Sequence, residues 1–252
     1  MDRDQEENLI SNISRFANSQ NTVRQSDFWS NKPFHIDLEN LSRMTYCPDG
    51  TSRWFYERST GSYKVMLERE GKTIAGIRNL KLLIPPSRKI TKTDLSKYEC
   101  AWMLKPHIVS KGAQKNFIEY MEIVSGESEE ERTSPDTNDF KEIVSKAILY
   151  RSIHKKILKR FAAFQANITA YSFSVIVKIH GERINLGMIW GEQAVSSELL
   201  DYACNISDLV RDSLENSSKG KMISEWAKKE ECWEIVSSNH FNIDYSNIKE
   251  IE

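Results

Sequence analysis

Cysteine is scarce. The four residues, Cys47, Cys100, Cys204 and Cys232, lie far apart in a chain of 252. They form no C-x-x-C pair and have no histidine at a zinc-ligand interval. That excludes a disulfide scaffold and fits a reducing compartment. Only six prolines and ten glycines are present, too few for a collagen-like or low-complexity chain. Long apolar runs are also missing. The longest uncharged, largely apolar stretch, residues 161–177, is 17 residues long and contains Gln165, Asn167, Thr169, Ser172 and Ser174. A membrane span needs about 20 predominantly apolar residues, so a buried segment is expected there. The start, MDRDQEENLI, is acidic where a secretion signal is basic, and no apolar region follows. These absences read as a soluble, non-secreted, cytoplasmic protein with no membrane partner.

Catalytic signatures are absent too. There is no G-x-S-x-G, H-E-x-x-H, P-loop or G-x-G-x-x-G. The five histidines, at 35, 107, 154, 180 and 240, are dispersed. No catalytic residue, cofactor or metal set is expected. One nuclease-like trace, Asp49 with Glu70-Gly71-Lys72, has the D…E-x-K form that holds a divalent metal, but chance supplies it in a chain this charged. Glu129-Glu130-Glu131 fall in a polar stretch that favours solvation over catalysis.

What the chain does have is aromatic residues: six Trp, nine Tyr and ten Phe, far more than a disordered segment carries. The length allows one large domain or two small ones. The net charge of −1 conceals an asymmetry. Residues 78–115 carry nine basic groups against Asp94 and Glu99, while residues 182–252 carry 7 basic and 14 acidic groups. Such a dipole points to an anionic partner for the middle or to a contact between middle and end.

Helical spacing dominates. Leu9, Ile10, Ile13 and Phe16 share one helical face. A turn-rich stretch, FANSQNTVRQSDFWSNKPFH, leads to a helix beginning at Pro33 and reaching about Arg43. A turn at residues 47–50 precedes residues 53–69, helical in their second half. Gly71, Gly76 and Pro85-Pro86 mark residues 71–90 as an extended connection. Thr91 or Thr93 caps a helix carrying Leu95, Tyr98 and Trp102, with Asp94 near its positive end. Another helix spans 112–124, with Phe117, Tyr120, Met121 and Val124 inward. After the polar run 125–138, a long helix reaches Phe161. Residues 165–179 alternate like a strand, but their length and the Gly181 stop favour helix. Helices over about 185–214 and 220–236 complete the chain. The expected fold is mainly α, bundle-like, with few or no short strands. Its regions are 1–124, a linker at 125–138, and 139–252.

The sharpest local feature is RKITKTDLSKYECAW followed by KPHIVSKGAQKNF. A capped helix start beside Lys89 and Lys92 leaves free N–H groups that suit a phosphate. Lys111, Gln114, Lys115 and Asn116, at a second helix start, add charge and amide donors. A solvated basic face neutralised by the acidic C-terminal third is the ordinary alternative. Arg151, Lys155, Lys156, Lys159 and Arg160 form a second basic row, which reads first as the wet face of a helix. Asn18, Gln20 and Asn21 are polar readout candidates, although turn formation explains them as well.

At these same residues the chain resembles the abortive infection phage resistance (AIPR) family of bacterial proteins. The matching runs are 16–35, WFYERSTGSY (54–63), 88–102, 105–117, ANITAYSFS (166–174), NLGMIWGEQAVS (185–196) and SEWAKKEECW (224–233), in order along nearly the whole chain. The resemblance implies a role in bacterial defence against phage, beside helicase-like ATPases and nucleases encoded nearby. Family members usually carry a long region before the ANSQN segment, with an N-G-G-Q-T-T-like motif. This chain begins shortly upstream of Asn18, so the resemblance is to the C-terminal region, as in a truncated or split reading frame.

Three functions follow as expectations. The first is DNA or RNA binding through the 78–115 surface. The second is a non-catalytic interaction subunit for other defence proteins or for a missing N-terminal region. The third is a metal-dependent nuclease.

Overall fold

A computed structural model describes residues 32–125 and 134–251. The architecture is mainly α, with twelve α-helices and one two-stranded sheet among the described residues. The expected first helix around residues 9–18 lies outside them.

Helix α1 (Pro33–Met44) begins with proline in its first turn, where the missing N–H costs nothing. Strand β1 (Phe55–Glu57) pairs in parallel with β2 (Lys89–Thr91), in the register Phe55↔Lys89, Tyr56↔Ile90 and Glu57↔Thr91. Parallel strands need a crossover. Here it is a helical hairpin, α2 (Ser62–Gly71) and α3 (Ile74–Leu83). The extended connection expected at 71–90 is therefore corrected: Thr73 caps a ten-residue helix, accepting from the Gly76 amide. The two glycines that suggested a loop are there for close approach. A Cβ on Gly76 would lie 2.0 Å from the Gly71 carbonyl oxygen, so only glycine lets the two helix ends meet.

Helix α4 (Lys92–Trp102) starts with a capping box in which Thr91 and Asp94 satisfy each other's backbone amides. Short α5 (Pro106–Val109) and α6 (Ala113–Ser125) follow, with α6 packed along α4. Helix α7 (Thr137–Leu158) opens with a second capping box, Asp136 with Asp139, and ends three residues before the expected Phe161. Helix α8 (Gln165–His180) has every residue from Ile168 to Val177 buried. Its strand-like alternation carries no signal because both faces are covered.

The single helix expected over 185–214 is two, α9 (Leu186–Glu192) and α10 (Ser197–Ser218). The break falls at Gln193, which adopts φ 51°, and Ser196 recaps the chain by accepting from the Leu199 amide. The 220–236 helix likewise divides into α11 (Ile223–Trp226) and α12 (Glu230–Ser238).

One apolar core draws on both sides of residues 125–138. It joins Leu38, Trp54, Tyr56, Leu95 and Tyr98 to Val144, Ile153, Tyr171, Phe173, Ile206 and Val210. Each fully buried large side chain contributes roughly 1.5–3 kcal/mol. Arg151 ties the 85–91 segment to α7: it donates to the Tyr98 hydroxyl (2.7 Å), the Ser87 carbonyl (2.7 Å) and the Lys89 carbonyl (2.6 Å). No helix among the described residues is long and apolar enough to cross a membrane.

Candidate anion-binding hollow

The lysines near the second expected helix start are placed by a chain of local constraints. Helix α5 is anchored by buried Pro106, His107 and Ile108, and it packs against α8 and α12. The chain then turns at Gly112 with φ 95°, a conformation that L side chains resist, and α6 begins at Ala113. Helix geometry leaves the first amides of α6 without intrahelical acceptors. Lys111 and Lys115 flank that start.

The opposite wall comes from more than a hundred residues further on. Trp226 is buried and its indole N–H donates to the Ser217 hydroxyl at 2.9 Å, while the Ala227 carbonyl accepts from the Tyr171 hydroxyl at 2.8 Å. These two bonds fix Lys228 and Lys229 at the start of α12. That helix has no side-chain cap. Together His107, Lys111, Lys115, Glu119, Lys228, Lys229 and Glu230 line a hollow of about 410 Å³.

The charges there are only partly compensated. Lys111 Nζ lies 2.7 Å from Glu119 Oε2, and Lys228 Nζ lies 2.5 Å from Glu225 Oε1. The hydrogen bond from Lys228 holds the Glu225 carboxyl below its usual range, and the charges of Lys228, Lys229 and Lys115 add to that. Lys115 and Lys229 are exposed and have no ion pair among the described residues. His107 is 6% exposed, and its Nδ1 has no hydrogen-bond partner among the described residues. Burial lowers its pKa, so the ring is neutral at pH 7.

The remaining expected site residues do not join this hollow. Lys89 Nζ lies 2.5 Å from Glu57 Oε2, and it neutralises a carboxylate that is itself buried. Lys92 is 6% exposed with its ammonium over the Phe117 ring, at 5.6 Å. Asn116 is buried and donates to the Ser96 hydroxyl at 3.0 Å. Both sit on inward helix faces and offer no surface to a ligand. Gln114 is exposed beside Lys115. Asn18, Gln20 and Asn21 lie outside the described residues.

In the second basic row, Lys156 and Arg160 pair with Asp201 and Asp208 of α10. Arg151 turns inward as described, and Lys155 and Lys159 remain exposed.

The D…E-x-K trace is otherwise engaged. Asp49 accepts from the amides of Thr51 and Ser52, and Glu70 faces Arg53 and Arg43 at 3.2 and 3.7 Å. Among the described residues no group of three or more His, Cys, Asp or Glu is placed to hold a metal. All four thiols are free and buried, and burial pushes Cys100 up to about 12 and Cys232 up to about 11.

The fold and this hollow define a mainly helical protein with a lysine-lined surface concavity. The family model described as AIPR protein matches residues 2–218. The chain belongs to the AIPR family, and that membership points to abortive infection and phage defence. No curated protein and no solved structure matches it.

Proposed function

We propose that the chain serves phage defence by binding nucleic acid, with phosphate held where the start of α6 meets the start of α12. The observation that supports this reading is the convergence of Lys111 and Lys115 with Lys228 and Lys229 around one hollow. Two helix starts bring their first backbone amides and the positive ends of their dipoles to the same place. Lys115 and Lys229 are the cations of the set with no ion pair among the described residues, and Gln114 adds an amide beside Lys115. With Lys92 and Asn116 buried and Lys89 engaged, the basic segment contributes Lys111 and Lys115 to a contact surface whose other half is Lys228 and Lys229.

The test is a salt-titrated gel shift with single- and double-stranded DNA and RNA. Two to four neutralised phosphates give a log–log slope of roughly −2 to −4 for duplex DNA. Replacing both Lys115 and Lys229 by Ala removes about two from that slope. A flat salt response, or unchanged binding by the double variant, would overturn the reading.

A second reading, an interaction subunit, is favoured by the α2–α3 hairpin. Val65, Ile74 and Leu82 are 61, 82 and 76% exposed there, on adjoining helices. Co-purification with a neighbouring defence protein, lost when Ile74 and Leu82 become Ser, is the outcome expected on that basis.

A further inference from the structure

A surface that follows a nucleic-acid backbone needs cations in a row, each facing one singly charged phosphodiester. The hollow between α6 and α12 has a different arrangement. Four ammonium groups and two helix starts surround a single concavity of about 410 Å³. Glu119 on α6 and Glu230 on α12 also line the hollow and would repel further phosphates beside a bound one. Such a site favours one compact, highly charged anion over a continuous chain of weaker ones. A phosphate monoester carries about −1.5 to −2 at pH 7 and three strong acceptor oxygens.

The imidazole is an independent indication. His107 is more than nine-tenths buried, lines the hollow, and has an Nδ1 with no partner among the described residues. A buried polar atom left unsatisfied is destabilising, and that cost is recovered when a ligand or a water it holds completes the bond. His107 is buried with Pro106 and Ile108 in the packing of α5, but its Nδ1 contributes no hydrogen bond to the fold among the described residues. Glu119 and Glu230 can accept from sugar hydroxyls or base amino groups next to the bound phosphate.

We infer that this hollow is a phosphate-monoester site that takes the phosphorylated end of a nucleic-acid strand. The inference rests on the nucleic-acid reading above and narrows it from the backbone to the terminus. A free nucleoside monophosphate presents the same chemistry, so the test includes both sources.

The experiment uses the full chain and measures fluorescence anisotropy at fixed salt. The probes are a 5′-phosphorylated single-stranded oligonucleotide, its 5′-hydroxyl twin, and a nucleoside monophosphate as competitor. At least tenfold tighter binding of the phosphorylated strand is expected. That preference should vanish in the Lys115→Ala/Lys229→Ala double variant, whose exposed positions leave folding intact, and should shrink in His107→Leu. Competition by the monophosphate at matching concentration supports the site and assigns it to the free nucleotide. Equal binding of the two oligonucleotides overturns the monoester inference while leaving backbone binding in place. Failure of both to bind overturns the two readings together. A preference that survives in the double variant places the monoester elsewhere and also overturns the inference.

Discussion

The Trp54 indole N–H donates to Gln193 Oε1 at 2.8 Å, across 139 residues of sequence. The same oxygen accepts from Cys47 Sγ at 3.4 Å, and Gln193 Nε2 donates to the Trp190 carbonyl at 2.7 Å. One amide thus joins the segment entering β1 to the α9–α10 break, and it does so from a residue held at φ 51°. Replacing Gln193 by Ala leaves the buried Trp54 N–H without a partner and should cost about 1–3 kcal/mol. Gln193→Gly loses the same bonds but relieves the left-handed backbone, so it should unfold at a higher urea concentration than Gln193→Ala. Urea denaturation followed by tryptophan fluorescence compares the two. Equal stability of Ala and Gly at this position would mean that the φ carries no strain.

The α2–α3 hairpin makes a more local prediction. A methyl group at Gly76 meets the Gly71 carbonyl at 2.0 Å, a backbone atom that cannot swing aside. Gly76→Ala should therefore separate the hairpin ends and cost about 1–3 kcal/mol, concentrated in residues 62–83. Hydrogen exchange is the measurement: protection should fall in α2 and α3 and persist in α7 and α8. Uniform loss of protection would show that the hairpin is not a separately opening unit.

How much of this was legible in the sequence depends on where the information lies. The Thr91–Asp94 cap could be read because both partners sit within four residues. The inward position of Asn116 follows from the same rule that placed Tyr120, four residues on, inside. Helix α3 was hidden because glycine serves both loops and close helix contacts, and sequence spacing does not separate the two uses. The break at Gln193 has no local signal, since its side chain answers to Trp54 and Cys47 far away. The hollow was half visible. Lys111 and Lys115 stood out beside a helix start, whereas Lys228-Lys229 lay in an acidic third, and only the packing of α5 against α12 brings the pairs together.

Lys146 and Glu99 form an ion pair between α7 and α4, with Nζ 3.1 and 3.0 Å from the two carboxylate oxygens. The ammonium also lies 5.1 Å from the Trp102 ring centre. Both side chains are largely covered, 10 and 14% exposed. Removing one partner strands the other in a poorly solvated place, so Lys146→Ala should destabilise by about 3 kcal/mol. Replacing both, with Lys146→Met and Glu99→Met, should recover most of that loss, since an apolar pair escapes the desolvation cost. Chemical denaturation of the two variants decides the matter. A double variant as unstable as the single one would mean that the pair contributes more than it costs to bury.

His180 sets an acid limit on stability. It is 3% exposed, its Nε2 lies 2.9 Å from the Tyr202 hydroxyl, and its Nδ1 faces Arg183 Nη2 at 3.2 Å. Because the guanidinium can only donate, Nδ1 must accept, and the ring is neutral with its proton on Nε2. Burial, with Arg183 adding to it, pushes the pKa down to about 4. An unfolded histidine titrates near 6.5. Between these values the unfolded chain holds a proton that the folded chain refuses, so stability falls as pH drops from 7 toward 4 and levels off below that. At pH 5 the loss from this residue alone is about 2 kcal/mol. Burial lowers His107 and His154 in the same direction, so some slope persists without His180. Urea unfolding of the parent and His180→Gln at pH 7 and pH 5 isolates the contribution. The variant should start less stable at pH 7, through the lost Tyr202 contact, yet lose about 2 kcal/mol less on acidification. An unchanged pH slope would mean that the ring accepts its proton in the folded state after all.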